Sequence, residues 1–425
     1  MRKFITLLAL IISSACAAPL NVVYIISDDH AWTDYSFMGH QQVKTPHIDQ
    51  LAKEGLTFRR GYVPSSLCCP SLATILTGKY PSQHKITSND PPMPADVAKA
   101  KFHQSKAFLE GRERINKHMD AQRTLPRILT ENGYLAMQTG KWWQGEFSRG
   151  GFTHGMTKGG RHGDAGLDIG RKTMKPIDDF LDLSIAQKKP FFLWYAPLMP
   201  HDPHTPPQRL LEKYRKLTPS IHQARYWAMI EWFDESIGQL RDSLKQRGLA
   251  ENTLIVYVAD NGWIQSLDNP KYAPKSKQSP YDGGLRTPIF FHLPGKVPAQ
   301  QAEELAISID IMPTVLSILS ITEKEKYPGI DLTKTELRKG RNAIHGACYT
   351  HNARDIDKPS ANLRWNWIIR NEWKLIMPDP SEADAAIELY QILDDPKEIK
   401  NLATEKPELV KSLTEAWQTI SEPTR

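Results

Sequence analysis

The chain has 425 residues, 40% of them hydrophobic and 24% charged, with a formal net charge of +6. That length and composition fit an ordinary globular protein of roughly two to three domains at about 150 residues each, and they exclude a disordered or low-complexity chain. The basic excess is small and scattered, with no nucleic-acid-binding motif or dense basic stripe, so nucleic acid is not an expected partner.

The first residues read as an export signal. Arg2 and Lys3 give a positive start, Phe4 to Ile12 is an apolar run, and Ala15-Cys16-Ala17 is a small-residue cleavage site. The run is much shorter than the roughly 20 residues a membrane span needs, and no later segment is apolar enough to cross a bilayer. Residues 1–18 are therefore expected to be a signal peptide of an exported protein, periplasmic or secreted. Losing Arg2 and Lys3 leaves a mature charge of +4. Cys16 would leave with the signal. Cys68, Cys69 and Cys348 remain, an odd number that is no disulfide framework and gives at least one thiol another fate.

Five short apolar runs, rich in β-branched and aromatic residues, predict buried strands: Asn21 to Ser27, Tyr134 to Thr139, Phe191 to Ala196, Thr253 to Ala259 and Thr287 to Leu293. Helical patterns such as Ile48 to Glu54 and Tyr226 to Arg247 lie between them. Strands that alternate with helices and are apolar on both faces predict an α/β fold, a mostly parallel sheet flanked by helices. Trp365 to Arg370 and Trp373 to Met377 predict a hairpin, and Glu408 to Ile420 a closing amphipathic helix, in a smaller C-terminal α+β region. The expected division is a catalytic domain over 19–320 and a C-terminal subdomain over 321–425.

Ligands in such folds sit beyond the carboxyl ends of the strands. There the chain carries Asp28-Asp29-His30, Gly140-Lys141-Trp142, Pro200-His201 and Asp260-Asn261-Gly262. One such ending is ordinary turn chemistry; four suggest a shared site. Asp28, Asp29, Asp260 and Asn261 are an oxygen-only set of the kind hard cations prefer. Either pair alone reads as a turn or cap; the two together favour a metal. Further on, Pro70 and Gly78 bracket a helix, which puts Cys68 just ahead of its N-terminus. There the helix dipole would attract an anion and lower the thiol pKa. A buried or disulfide-bonded cysteine is the competing reading.

Cys68-x-Pro70-Ser71, followed by Leu76-Thr77-Gly78, closely resembles the signature of the sulfatase family. The resemblance extends in order along the chain. It takes in Asp28-Asp29, Thr45-Pro46-His47-Ile48-Asp49-Gln50-Leu51-Ala52, Gly140-Lys141-Trp142, Pro200-His201-x-Pro203 and Asp260-Asn261-Gly262. It continues through Lys277-x-x-x-Tyr281-Asp282-Gly283-Gly284-x-Arg286-x-Pro288 to Glu388-Leu389-Tyr390, Asp395-Pro396 and Asn401-Leu402-Ala403. Each motif alone is weak and the ordered set is specific.

The resemblance implies an alkaline-phosphatase-like fold and hydrolysis of a sulfate ester. It implies that Cys68 is oxidised to formylglycine by a maturation enzyme and that its hydrated aldehyde is the nucleophile. It implies Ca²⁺ held by Asp28, Asp29, Asp260, Asn261 and the modified Cys68. Lys141 and Lys277 would grip sulfate oxygens, His201 would assist the leaving alcohol, and Asp260 would be a base for the hydrate. Two departures stand out: Leu72 occupies the place of a family Arg, and Trp143 that of a sulfate-contacting His. His154 and His162 are candidates for the latter role. Trp142 and Trp143 offer faces on which a sugar can stack, with core packing the alternative for at least one. The expected partner is a sulfated small molecule or carbohydrate. The rivals are a phosphoryl-ester hydrolase on the same fold and a sulfate-ester-binding protein without turnover.

Overall fold

The structure, a computed structural model, describes residues 18–421. The expected signal peptide lies outside these apart from Ala18. The strands, in chain order, are β1 (Asn21–Ser27), β2 (Leu56–Phe58), β3 (Gly61–Tyr62), β4 (Leu135–Gly140), β5 (His154–Gly155), β6 (Phe191–Ala196), β7 (Thr253–Ala259), β8 (Ile289–His292), β9 (Gln300–Ala302), β10 (Ala306–Ile307), β11 (Ile344–Tyr349), β12 (Leu363–Arg370), β13 (Trp373–Pro378) and β14 (Glu388–Gln391). Eight of them form one sheet in the order β5-β4-β6-β1-β7-β8-β2-β9, and β3 pairs with β10. Within the large sheet β8 alone runs against its neighbours.

Both faces of the sheet are covered, which is why its central strands read as unbroken apolar runs rather than alternating ones. In β1, Val22, Tyr24 and Ile26 face one core and Val23 and Ile25 the other. The helices Pro46–Glu54, Lys175–Gln187 and Ile221–Gln246 cover the second face through residues such as Leu51, Phe180 and Phe233. The helices Cys68–Thr77, Leu125–Glu131 and Ile311–Ile318 cover the first through Ile75, Ile128 and Val315. Among the described residues no helix is long and apolar enough to cross a membrane.

The elements agree closely with the sequence reading. β1, β6 and β7 have the expected bounds; β4 is displaced by one residue, and β8 is shorter than its apolar run. β8 is also antiparallel, because the connection from Asp260 to Pro288 never leaves the carboxyl edge and β8 starts where β7 ends. Apolar composition carries no sign of strand direction. The hairpin β12–β13 turns at Asn371, whose φ of 56° suits asparagine.

β11, β12, β13 and β14 make a four-stranded antiparallel sheet. One face, through Ile368, Leu375 and Leu389, packs on the helix Pro407–Ser421. The other, through Ile344, Trp367 and Ile376, joins the main core. A buried ion triad also fastens this sheet: Lys374 Nζ lies 2.8 Å from Asp282 Oδ1 and 2.9 Å from Glu398 Oε1, and Asp282 N–H donates to Glu398 Oε2 at 2.6 Å. All three side chains are buried.

Removing one partner of a buried ion group leaves unpaired charge. Lys374→Met is expected to cost about 3–5 kcal/mol in denaturant unfolding. Burial and Asp282 already hold the Glu398 carboxyl up at about 7. Losing the ammonium raises it further, so the folded variant takes up this proton at a higher pH than the folded wild type, and its deficit should shrink as pH falls from the alkaline side to about 7 and then level off, because below that both folded proteins are protonated there. A deficit independent of pH would contradict this charge balance.

Candidate active site

The parallel register brings the strand ends level. Ser27 pairs with Ala259, Ile25 with Tyr195 and Gly140 with Ala196. The loops that follow are stitched together by backbone hydrogen bonds: Asp28 N–H to Met199 O (3.0 Å), Asp260 N–H to Ser27 O (2.9 Å), His30 N–H to Asn261 O (3.1 Å) and Lys141 N–H to Ala196 O (2.6 Å). Gly140 makes the turn that delivers Lys141. Its φ is 74°, and a Cβ there would collide with the Ala196 carbonyl.

Carboxylate oxygens of Asp28, Asp29 and Asp260 lie within 4.8 Å of one another. Asp29, at a φ of 61°, donates its N–H to Asp260 Oδ1 at 3.0 Å, a left-handed backbone of the sort that collects at functional sites. Asn261 donates Nδ2–H to Asp29 Oδ1 at 2.6 Å. Lys141 Nζ is 2.5 Å from Asp28 Oδ1 and 3.4 Å from Asp260 Oδ2. Lys277 Nζ is 2.6 and 2.7 Å from the two Asp29 oxygens and 3.1 Å from Cys68 Sγ. His201 Nε2 is 3.5 Å from Asp29 Oδ2. All these side chains are buried.

Burial holds the Asp28 carboxyl well above the usual carboxylate range, Asp260 and Asp29 adding to the shift and Lys141 and Lys277 opposing it. Asp28 Oδ2 and Asn261 Oδ1 are buried without a hydrogen-bond partner. Unpartnered buried oxygens are costly. Two of them beside further carboxylate oxygens suit a hard cation, so the expected ligand residues fit the chemistry of such an ion.

The helix Cys68–Thr77 is buried along its whole length and ends at Gly78, in the left-handed region with φ 67°. Cys68 is its first residue rather than the residue before it. The N-terminus has little left to offer an anion: Pro70 has no N–H, Cys69 N–H donates to Asn89 Oδ1 at 2.9 Å, and Ser71 N–H to Leu67 O at 3.0 Å. The ammonium groups beside Cys68 are those of Lys277, which lines the cavity over Cys68, and Lys141, which is buried against Asp28. Burial pushes the Cys68 thiol up to about 12 despite those two ammonium groups, which corrects the expectation of a helix-lowered pKa. Leu72, at the place of the family Arg, lies in the main core.

A cavity of about 280 Å³ opens over Cys68. Lys277, His201, Trp143 and His162 line it, together with Asn89, Arg161, Trp263, Tyr272 and His351. The structure thus brings Trp143 and His162 to the site but not the other two residues expected to touch substrate. Trp142 is core, packed edge-on against Phe152 and Trp194. His154 lies on β5, bonded to Thr153 and packed on Phe180. Burial, Lys141 and Lys277 hold the His201 imidazole neutral, well below its usual pKa. The lining residues that sequence reasoning missed come from distant segments. Asn89 N–H donates to His351 O at 2.9 Å, a contact with no local sequence signal. A larger cavity of about 830 Å³, lined by His47, Glu54, Arg241 and His292, contains none of the expected site residues.

Solved structures follow the same chain path and place the fold in the alkaline-phosphatase-like class. One, titled "Crystal structure of Ps i-CgsB in complex with k-i-k-neocarrahexaose", has a TM-score of 0.73 at 21% identity, covering 96% of this chain and 94% of that one. A phosphonate monoester hydrolase of Agrobacterium radiobacter has a TM-score of 0.71 at 18% identity, covering 96% of each chain. The chain belongs to the sulfatase family, whose profile matches residues 20–321; a second, described as N-sulphoglucosamine sulphohydrolase, C-terminal, matches 275–422. Human arylsulfatase A is 26% identical over 390 residues, 79% of this chain and 71% of its own length. This is accordingly an enzyme of the sulfatase class.

Cys68, Cys69 and Cys348 are all free and buried. In protein carrying unmodified thiols, none should react with iodoacetamide at pH 8 until the chain is unfolded. Rapid labelling of Cys68 in the native state would contradict the raised pKa.

Proposed function

We propose that this sulfatase releases sulfate from a sulfated carbohydrate, using formylglycine made from Cys68 by a maturation enzyme and Ca²⁺ held by Asp28, Asp29, Asp260 and Asn261. The observation that carries this reading is the position of Cys68, 3.1 Å from an ammonium group that also grips the carboxylate cluster. A buried thiol with its pKa near 12 is a poor nucleophile. Formylglycine at the same position would supply a hydrated aldehyde as the nucleophile toward sulfur, with the alcohol as leaving group and sulfate lost as the aldehyde re-forms.

Charge supports the cation. In ionised form three carboxylates and two ammonium groups leave an excess negative charge, which repels a sulfate ester; a divalent cation reverses that sign. Lys141 and Lys277 then stabilise charge on the sulfate oxygens in the transition state. His201, at the cavity wall, orients the leaving alcohol, its Nδ1–H fixed by the Asp202 carbonyl; a bound sulfate ester, being anionic, raises the imidazole's pKa and so lets it take up the proton it would pass to that oxygen. Asp260, whose Oδ2 lies 3.4 Å from Lys141 Nζ, would take a proton from the hydrate. A carbohydrate substrate is supported by the aromatic walls Trp143, Trp263 and Tyr272 and by the sugar names attached to the second family profile and to the i-CgsB complex. The expected N-terminal signal fits export to the periplasm or beyond.

In protein from its native host, the tryptic peptide Gly61 to Lys79 should carry an aldehyde in place of CH₂SH at position 68. Cys68→Ala should abolish sulfate release, whereas Cys69→Ala should retain much of it. Active protein with only unmodified thiol at position 68 would rule the mechanism out. Elemental analysis should find calcium and no stoichiometric zinc, and Asp260→Ala should lower both calcium content and turnover. One zinc per chain, with activity lost on its removal, would instead favour phosphoryl-ester hydrolysis.

A further inference from the structure

We propose that His162 touches the substrate as a neutral imidazole, donating its Nδ1–H to an oxygen of the bound sulfate group, and that Asp90 and Arg161 are a positioning pair that fixes this tautomer. The proposal rests on the sulfatase reading above and assigns residues to that site. Asp90, 2% exposed, is the anchor. It accepts from Arg161 Nε at 3.0 Å and from a terminal guanidinium nitrogen at 2.8 Å, a two-point grip that fixes the plane of the group. The guanidinium also lies over the Trp143 ring, 4.6 Å from its centre. So held, its other terminal nitrogen reaches His162 Nε2 at 2.9 Å.

Arginine has donors and no acceptor. His162 Nε2 must therefore accept, and in the neutral ring the proton resides on Nδ1. The ring stands edge-on to Trp143, with centres 4.5 Å apart, and 5.6 Å from the ring of His201. It lines the cavity with Cys68 and Lys277. Lys141, Arg161, His201 and Lys277 all disfavour a second proton on it, in addition to burial. His162 is thus a donor that does not become an acid, lining the same cavity as the Lys277 ammonium.

The backbone is shaped to deliver this ring. His162 has a φ of 72°, in the left-handed region, and its carbonyl accepts from Trp142 N–H at 3.1 Å. The loop is tied by the Asp164 carboxylate, which accepts from Lys158 N–H at 2.9 Å and Gly160 N–H at 2.7 Å. Thr157 closes it by donating to Gly163 O at 2.9 Å. Strain of this kind in an otherwise well-bonded loop marks a side chain held for use.

The test uses full-length protein labelled with ¹⁵N-histidine, and inorganic sulfate as the probe, so that the outcome does not depend on turnover. The wild-type His162 ring should show its proton on Nδ1, and sulfate should shift that signal. Arg161→Met keeps the stem over Trp143 and should redistribute the proton between the two nitrogens. For kinetics, His162→Gly and His162→Asn both tolerate a left-handed backbone. The asparagine Nδ2 lies as many bonds from Cα as the histidine Nδ1. His162→Gly should lose about 10- to 100-fold in kcat/KM, the worth of a hydrogen bond to a charged group, and His162→Asn should recover most of that loss. A wild-type proton on Nε2, a signal indifferent to sulfate, or a His162→Gly variant as active as the wild type would overturn the proposal. A sulfate-responsive Nδ1–H in a protein that cleaves no sulfate ester would uphold this contact and refute the catalytic reading.

Discussion

Three buried carboxylates at one edge of a sheet repel one another, and the surrounding structure is organised by that repulsion. Asp28, Asp29 and Asp260 are brought together because β1 and β7 are neighbours whose ends are level. Neither strand can give up its position, since both are buried on each face. The cluster is instead met by two ammonium groups, one from the end of β4 and one from the long connection between β7 and β8. Buried charges of this kind are tolerated only when paired and hydrogen-bonded. Of the two lysines that neutralise the cluster, Lys277 also lines the cavity over Cys68, while Lys141 is buried against Asp28. Asp28 Oδ2 and Asn261 Oδ1 remain without a partner, and that remainder is the physical basis for a cation.

The helix that carries Cys68 is the second fixed part. It is buried throughout, and its first turn is held from outside: Asn89 caps Cys69, while Arg112 donates to the Asn89 carbonyl at 2.8 Å. Burial that makes the helix rigid also makes its thiol inert. Stability and reactivity conflict at this position for an unmodified cysteine, and the proposed change of functional group at residue 68 would resolve the conflict without moving the helix.

The C-terminal sheet is part of the site rather than an appendage. Its hydrophobic face shares the main core, and the Lys374–Asp282–Glu398 triad ties it to the segment that follows Lys277. Asp90 forms a backbone bridge with Asn352, so the wall carrying His351 and the anchor of Arg161 are set by the same contact. A change in the seating of this sheet would reach the cavity through those residues.

Much of this was legible in the chain itself. Apolar runs gave the central strands because a strand buried on both faces must be apolar at every position. The motifs gave Asp28, Asp29, Cys68, Lys141, His201, Asp260, Asn261 and Lys277 as a set; all but His201 and Lys277 lie within a residue or two of a strand end or helix start, where local sequence suffices to place them, while those two sit in loops that only their motifs marked. Strand direction was not legible: β8 is reversed by the route of a connection, and apolar composition is the same in either direction. Nor was the fate of the aromatic and imidazole candidates. Trp142 and Trp143 are adjacent in sequence, yet one fills the core and the other lines the cavity, while His154 and His162 part company because one lies on a strand and the other on a strained loop. Sequence by itself determined which residues gather at the strand ends and the sheet that aligns them. Only the tertiary structure decided which segments wall the cavity and what ionisation burial imposes, because both depend on contacts between residues hundreds of positions apart and on the water those contacts exclude.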